Sequence, residues 1–270
     1  MNQANPSSES PLLLEQLDSQ GILTLTLNRP KQFNALSEAM LDALQSALHN
    51  VDERVRVIVI AASGKAFCAG HDLREMRSHV DEAQGGERWQ RELFDKCCRF
   101  MQTLTELPQP VIARVQGLAT AAGCQLVANC DLAVAADHCQ FGVSGVNLGL
   151  FCSTPSVALS RNLSRKRAFQ MLVTGEFINA ETALDWGLIN RHVPDEQLDA
   201  AISVLCEQIC KKSQVAIATG KTLFYKQLES PLAEAYALAS EAMACNMMSE
   251  DASEGIDAFF DKREPQWKHR

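Results

Sequence analysis

No stretch of the sequence approaches the roughly 20 consecutive apolar residues that a helix needs to cross a bilayer. Positive charge is in deficit as well, with 25 lysines and arginines against 33 aspartates and glutamates, for a formal net charge of −8. A nucleic-acid binder would present a basic face, which this balance disfavours. The sequence therefore predicts an ordinary globular protein that engages neither nucleic acid nor a membrane.

Paired cysteine motifs are missing, although the chain has ten cysteines. No C-x-x-C spacing occurs, and several cysteines fall inside predicted core elements, namely Cys124, Cys130, Cys206 and Cys210. Zinc sites need paired ligands, and disulfide scaffolds are typical of small secreted chains. We therefore expect buried free thiols, no metal site and a cytoplasmic location.

The beginning of the chain shows neither a basic segment followed by an apolar core nor the Arg-rich character of a transit peptide. We expect a short disordered leader over residues 1–16. The remainder divides into an α/β core over residues 17–200 and a C-terminal helical region over residues 201–270.

Strand patterns lie in the first two-thirds of the chain. An alternating run at 21–27 and a continuous apolar run at 57–60 flank a helix that Ser37 can cap, which predicts parallel pairing. Two further runs lie at 111–115 and 132–135. Beyond Pro155 the patterns are helical, so the sequence predicts an α/β fold with a helical tail.

Small residues follow two of these strands. The segment from Ala119 to Gly123 opens into a helix, and the loop after residues 57–60 contains Gly64 and Gly70. Small side chains at a helix start leave backbone N–H groups accessible, and the helix dipole adds positive potential there. Because ligands bind at the carboxyl ends of parallel strands, these loops are the candidate binding site.

Five blocks occur in the order and spacing of one family: LNRPKQFNALSEAM, GKAFCAGHDLREM, ARVQGLATAAGCQLVANCDLAVA, VTGEFINAETALDWGLINRHVP and EGIDAFFDKREPQW. Over residues 20–268 the chain resembles the crotonase family, the enoyl-CoA hydratase/isomerase superfamily. The resemblance implies a spiral of ββα units with C-terminal helices that mediate trimerisation, as a homotrimer or a dimer of trimers. It also implies a coenzyme A thioester as substrate and no further cofactor.

The same resemblance implies an oxyanion hole formed by two backbone N–H groups, those of His71 and Ala122. Position 122 is glycine in many relatives, and alanine keeps the N–H if its φ is negative. The positions that match the family's coenzyme A contacts are Ala66, Cys68, Ala69, Leu73, Arg74 and Lys262.

The chain departs from the family at the two glutamates that flank the substrate double bond in a hydratase. The first position is Gln125 and the second is Gly145. A glutamine does not titrate and a glycine has no side chain, so neither acts as a general acid or base. We therefore expect ordinary hydration to be slow or absent.

Three alternatives remain open from the sequence. Hydration could persist with substitute groups, although Asp131 reads as structural. The chain could catalyse a reaction that needs only the oxyanion hole, such as decarboxylation, or it could bind acyl-CoA without turnover. The His71 side chain can titrate near neutrality, and Cys152 is a candidate nucleophile near the site.

Overall fold

A computed structural model describes residues 10–80 and 86–270. Its main sheet has six strands: β1 (Leu13–Leu17), β2 (Ile22–Leu27), β3 (Val57–Ala62), β5 (Val111–Val115), β7 (Leu132–Ala136) and β10 (Arg191–Val193). They lie in the order β1-β2-β3-β5-β7-β10. β1 pairs with β2 in the antiparallel sense and the other neighbours are parallel. Every residue of β3 is buried, as its continuous apolar run predicts.

A second sheet of short strands lies beyond the main sheet, in the order β4-β6-β8-β9. The first three strands are parallel, and β9 pairs with β8 in the antiparallel sense. The strands are β4 (Ala66–Cys68), β6 (Leu118–Thr120), β8 (Gln140–Gly142) and β9 (Ile178–Asn179).

Helices follow the strand pairs and fill the C-terminal part of the chain. They are α1 (Glu38–His49), α2 (Leu73–Ser78), α3 (Gly86–Glu106), α4 (Ala122–Asn129), α5 (Ser153–Asn162), α6 (Arg165–Thr174), α7 (Ala180–Trp186), α8 (Leu198–Cys210), α9 (Gln214–Leu228), α10 (Leu232–Met247) and α11 (Glu250–Asp261). No helix in the described ranges is long and apolar enough to span a membrane.

The two sheets and the helices form a repeated ββα unit. β3, β5 and β7 of the main sheet each lead into a short strand of the second sheet, and a helix follows: β3-β4-α2, β5-β6-α4 and β7-β8-α5. The predicted spiral of ββα units is confirmed. Since β4 and β6 are parallel neighbours, the starts of α2 and α4 lie at the same edge of the second sheet.

The disordered leader expected over residues 1–16 overlaps the first strand. Residues 13–16 belong to β1, in which Leu13 pairs with Leu27 and Leu17 pairs with Leu23. Leu13 is buried in the core, so an apolar contact orders a segment whose composition had suggested disorder. The part of the expected leader at residues 1–9 lies outside the described ranges.

The C-terminal region joins the core through a buried polar cluster. Lys221 of α9 donates to the Leu104 and Gln109 carbonyls at 2.7 and 2.9 Å and to an Asp131 carboxylate oxygen at 2.6 Å. Tyr225 donates to the other Asp131 oxygen at 2.8 Å. These contacts give Asp131 the structural role that the sequence suggested. The division at residue 200 stays a prediction, and α8, which lies across it, packs on the main sheet.

Candidate active site

The loop after β4 carries the first predicted donor. Asp72 caps α2 by accepting from the backbone of Arg74 and Glu75, and its carboxylate meets Arg29 at 3.0 Å. Burial alone would raise the pKa of Asp72, but the Arg29 guanidinium and the helix N–H groups lower it overall. Leu36 donates to the Gly70 carbonyl and accepts from Asp72, so His71 is held in a short bridge to Leu36. The N–H of His71 therefore has a fixed direction.

The loop before α4 carries the second donor and lies against the first loop. A methyl carbon placed on Gly70 would lie 2.8 Å from the Ala121 Cβ and 3.1 Å from the Ala122 nitrogen. A methyl carbon placed on Gly123 would lie 2.1 Å from the Cys68 carbonyl oxygen. Only glycine permits this approach at either position. The structure thus brings the His71 and Ala122 segments together as the resemblance implies.

Both donors lack an acceptor among the residues that the structure describes. Within the described ranges, neither the N–H of His71 nor that of Ala122 donates a hydrogen bond to another residue. Ala122 is the first residue of α4, where the helix itself supplies no acceptor. The pair can therefore serve a ligand oxygen.

Ala121 holds the second loop in a conformation that the sequence did not reveal. Its backbone has φ 51° and ψ −122°, a region that alanine rarely occupies. Ala121 donates to the Gly142 carbonyl at 2.9 Å and its own carbonyl accepts from Gln125 at 3.0 Å. Ala122 has no positive φ, which meets the condition set for its N–H. The positive φ is therefore at Ala121, one residue before Ala122.

The side chain of His71 is packed away from bulk water. Its ring meets Phe94 edge to face, with ring centroids 5.4 Å apart. Burial lowers the pKa of His71 to about 4, an effect that the nearby Leu36 backbone offsets only in part. Neither ring nitrogen has a hydrogen-bond partner in the described part of the chain. The imidazole is therefore neutral at pH 7 and is a poor base at that pH.

Gln125 is in α4, one turn after Ala121, and is only 4% exposed. Its Oε1 atom has no hydrogen-bond partner among the residues described. The amide is thus a buried, uncharged group at the position where the family has its first glutamate.

Gly145 lies in a 3-10 helix over Ser144–Leu148 that follows β8. A methyl carbon on Gly145 would lie 2.5 Å from the Leu150 carbonyl oxygen and 2.7 Å from the Cys152 sulfur. The space that a side chain at this position would need is therefore occupied. Burial raises the pKa of the Cys152 thiol, so it remains protonated at neutral pH and is a weak nucleophile.

The predicted coenzyme A contacts surround the first loop, with one exception. Leu73 and Arg74 are exposed at the start of α2, and Arg74 makes no ion pair within residues 10–80 or 86–270. Lys262 is exposed at the end of α11, which packs on α9 and α10. The structure therefore places Arg74 at the candidate site, while the joint role of Arg74 and Lys262 stays a prediction.

Part of the backbone around β4 is already hydrogen-bonded within the protein. The Ala66 carbonyl accepts from Asn34 and Gln116 at 2.8 and 3.1 Å, and Ala69 donates to Phe33 at 3.0 Å. Burial raises the pKa of Cys68 to about 12, so this thiol does not ionise at neutral pH.

The fold and the paired loops define a crotonase-type α/β protein. The profile of the enoyl-CoA hydratase/isomerase family matches residues 18–270, and the chain belongs to this family. It is 47% identical over 268 residues to the mitochondrial enoyl-CoA hydratase domain-containing protein 3 of Rattus norvegicus, covering 98% of this chain and 87% of the relative.

Solved structures agree with that assignment. An enoyl-CoA hydratase of Mycobacterium smegmatis superposes with a TM-score of 0.92 at 55% identity, covering 96% of this chain and 99% of that one. Human enoyl-CoA hydratase domain-containing protein 3 superposes with a TM-score of 0.90 at 45% identity, covering 95% of this chain and 100% of that one.

The expected cytoplasmic location is wrong, because the rat relative is named as a mitochondrial protein. The expectation rested on free thiols and on the composition of the first residues. Free thiols indicate reducing surroundings but do not distinguish one such compartment from another.

Proposed function

We propose that the chain binds an acyl-CoA thioester whose carbonyl oxygen accepts from the backbone N–H groups of His71 and Ala122. The observation that carries the proposal is the pair of unused N–H groups on two loops in van der Waals contact. Backbone donors of this kind are preorganised for an oxygen that gains charge as a thioester enolate forms. In comparable sites the loss of one donor costs roughly 3–4 kcal/mol of transition-state stabilisation.

Ordinary hydration is not the reaction that this site supports. Gln125 is a buried amide, and the space around Gly145 is taken by the Leu150 carbonyl and the Cys152 thiol. None of these groups titrates near neutral pH, so no acid–base pair flanks the thioester. Besides turnover through a thioester enolate, two candidate functions therefore stand. One is binding of the thioester without turnover, and the other is a decarboxylation that needs only the two N–H groups.

Binding and turnover can be measured separately. We expect butyryl-CoA to bind with micromolar affinity in isothermal titration calorimetry. Ala122→Pro removes one N–H and should weaken binding at least tenfold. Arg165→Pro is the matched control, because residue 165 is the exposed first residue of α6 and its N–H likewise has no intrahelical acceptor. Equal binding by wild type and Ala122→Pro would contradict the proposed donor pair.

A mass-spectrometric screen against acyl-CoA esters then distinguishes the candidate reactions. Loss of carbon dioxide from a malonyl-type ester would assign a decarboxylase, and hydration of crotonyl-CoA would contradict the argument from Gln125 and Gly145. Binding of esters with no product would assign an acyl-CoA binding module.

We also propose that Arg74 and Lys262 hold the coenzyme A phosphates, since a guanidinium is suited to phosphate. Arg74→Gln should weaken butyryl-CoA binding several-fold but leave binding of the butyryl-pantetheine thioester, which lacks the nucleotide, unchanged. An equal loss for both esters would contradict a phosphate contact.

The proposed functional unit is a homotrimer or a dimer of trimers. α10 supports self-association, because Ala235 is its only buried residue, while Leu232, Tyr236 and Met243 are each at least 66% exposed. A helix that leaves several large apolar side chains exposed needs a partner for that face. Tyr236→Arg should therefore lower the molar mass measured by light scattering, and an unchanged mass would contradict a contact at this helix.

A further inference from the structure

Residues 29–36, which we call the supporting segment, run beside the loop that carries His71. Three backbone hydrogen bonds join the two, and they meet the loop on both sides of His71. They run from Ala69 to the Phe33 carbonyl at 3.0 Å, from Leu36 to the Gly70 carbonyl at 2.8 Å and from Asp72 to the Leu36 carbonyl at 3.2 Å. Whatever holds the supporting segment in place therefore also holds His71.

These bonds set the direction of the His71 N–H. The peptide between Gly70 and His71 is trans and planar, so its C=O and N–H point in opposite directions. Because the Gly70 carbonyl is bonded to Leu36, the N–H of His71 points away from Leu36. A shift of Leu36 would turn this peptide, and a hydrogen bond weakens steeply once its donor points off the acceptor.

Asn34 fixes the shape of the supporting segment. It is buried and has φ 53°, in the left-handed region that asparagine adopts more readily than most residues. Its Oδ1 accepts from the backbone N–H of Arg29 at 2.8 Å. Its Nδ2 donates to the carbonyls of Ser63 and Ala66, both at 2.8 Å. The amide thus joins the supporting segment to the chain on either side of the entry into β4.

The side chain of Arg29 joins the supporting segment to the loop a second time. One guanidinium nitrogen donates to the Ala35 carbonyl at 2.9 Å, and the other reaches the Asp72 carboxylate at 3.0 Å. The side chains of Arg29 and Asp72 are only 17% and 15% exposed. Ala35 precedes Leu36 and Asp72 follows His71, so the guanidinium spans the two segments beside the donor.

Neither side chain is arranged to meet a ligand itself. Asn34 is 0% exposed, and both ends of its amide are bonded to the backbone. The charge of Arg29 is paired with Asp72. An effect of either residue on a bound thioester would therefore pass through the Gly70–His71 peptide. Such an effect would be large, because donors contribute most when their direction is fixed before the ligand arrives.

We propose that Asn34 and Arg29 are positioning residues for the candidate site. They hold the Gly70 carbonyl on Leu36 and so aim the N–H of His71 at the thioester oxygen. The inference rests on the proposed function, because it assumes that this oxygen lies between the N–H groups of His71 and Ala122.

The infrared band of the bound thioester carbonyl measures how well the two donors are aimed. Butyryl-CoA labelled with carbon-13 at its carbonyl is bound at saturation, and the band is compared with that of the free ester. Two aimed N–H groups draw charge onto the oxygen and lower the stretching frequency. The wild-type chain should show this shift. Ala122→Pro should lose about half of it, since one of the two donors is gone.

Asn34→Gly tests the amide, because glycine tolerates the positive φ at this position and removes only the side chain. The His71 N–H is then no longer held in direction. We expect the band to lose a part of its shift similar to that lost in Ala122→Pro. Thermal unfolding of the same sample shows that the variant is folded when the band is recorded.

Asn162→Gly is the matched control for loss of an asparagine. The Nδ2 of Asn162 likewise donates to two carbonyls, those of Ala128 and Ala158, both at 2.9 Å. Ala128 lies at the opposite end of α4 from Ala122. This variant should melt at a lower temperature and keep the full carbonyl shift.

Arg29→Met tests the second residue and carries the experiment if Asn34→Gly does not fold. It should lose part of the shift, because Ala35 and Asp72 are no longer joined. Arg114→Met is its control, since the side chain of Arg114 is 21% exposed and forms an ion pair with Asp199 of α8. The control should keep the full shift.

The outcomes separate this inference from the proposed function. A wild-type band at the frequency of the free ester, or no bound ester, would overturn both. A shifted band that survives in Asn34→Gly and Arg29→Met would overturn this inference alone and leave the two residues a purely structural role. Loss of the shift in the two controls as well would also overturn it, because the loss would then reflect general loosening of the fold.

Discussion

The backbone of Gly70 lies against the methyl group of Ala121, so that a methyl carbon on Gly70 would be 2.8 Å from the Ala121 Cβ. Both residues have positive φ, 87° for Gly70 and 51° for Ala121. The two loops that present the candidate donors therefore meet at a pair of unusual backbone conformations. Only one member of the pair is a glycine, which leaves Ala121 strained.

Ala121→Gly should stabilise the fold. Relief of the backbone strain is worth about 1–3 kcal/mol, and the greater freedom of glycine in the unfolded chain offsets about 0.4–1 kcal/mol of it. We expect a net gain of about 1 kcal/mol in the free energy of unfolding, measured by urea denaturation. Ala128→Gly in α4, the helix that follows Ala121, is the control and should lose about 1 kcal/mol. A loss at both positions would show that Ala121 is not strained.

Gly145→Ala should destabilise the fold by about 1–3 kcal/mol, because the new carbon meets the Leu150 carbonyl at 2.5 Å. Gly220→Ala in α9 is the control, since its new carbon meets nothing within 4 Å, and helical alanine should gain about 0.5–1 kcal/mol.

Because the space around Gly145 is occupied, Gln125→Glu combined with Gly145→Glu should not hydrate crotonyl-CoA. Hydration by the folded double variant would refute the steric argument.

The buried His71 should make stability depend on pH. Its pKa is about 4 in the folded chain and 6.5 for the ordinary group, so the unfolded chain binds more protons between these values. Stability therefore falls as pH falls through 6.5 toward 4. Between pH 7.5 and pH 5 this amounts to about 2 kcal/mol.

His71→Phe removes that dependence. The difference in unfolding free energy between wild type and His71→Phe should shift by about 2 kcal/mol between the two pH values, measured by urea denaturation at each. A constant difference would mean that His71 titrates normally in the folded chain.

Lys221→Met should cost about 3–5 kcal/mol, because it leaves Asp131 buried without its ammonium partner. Lys226→Met changes an exposed lysine of the same helix and should stay within about 0.5 kcal/mol. Thermal unfolding of the three proteins compares them directly. Equal melting temperatures would mean that the pair does not hold α9 on the core.

The long strands of the core could be predicted from residue patterns alone. Val111–Val115 was predicted with its observed bounds, and the strand at Val57–Ala62 extends two residues beyond the apolar run that predicted it. The second sheet could not be predicted in this way, because strands of two or three residues, such as Leu118–Thr120, are too short to show a period. The family resemblance supplied that sheet through the ββα unit.

The candidate site, too, could be predicted only in part. The positions of His71, Ala122, Gln125 and Gly145 came from the resemblance, and the structure brings the first two segments together. The strain at Ala121 and the filling of the space around Gly145 could not be predicted, since both depend on how distant segments pack.

The ten cysteines, all within the described ranges, are unpaired, and Cys245 of α10 is the one whose side chain is exposed. A maleimide dye applied at neutral pH should attach there first, because the other thiols are buried or half-buried and so less accessible to the dye. Cys245 is thus the most accessible attachment point among the described cysteines. Since that point is on α10, the helix through which self-association is proposed, the polarisation of the dye would report that association in real time.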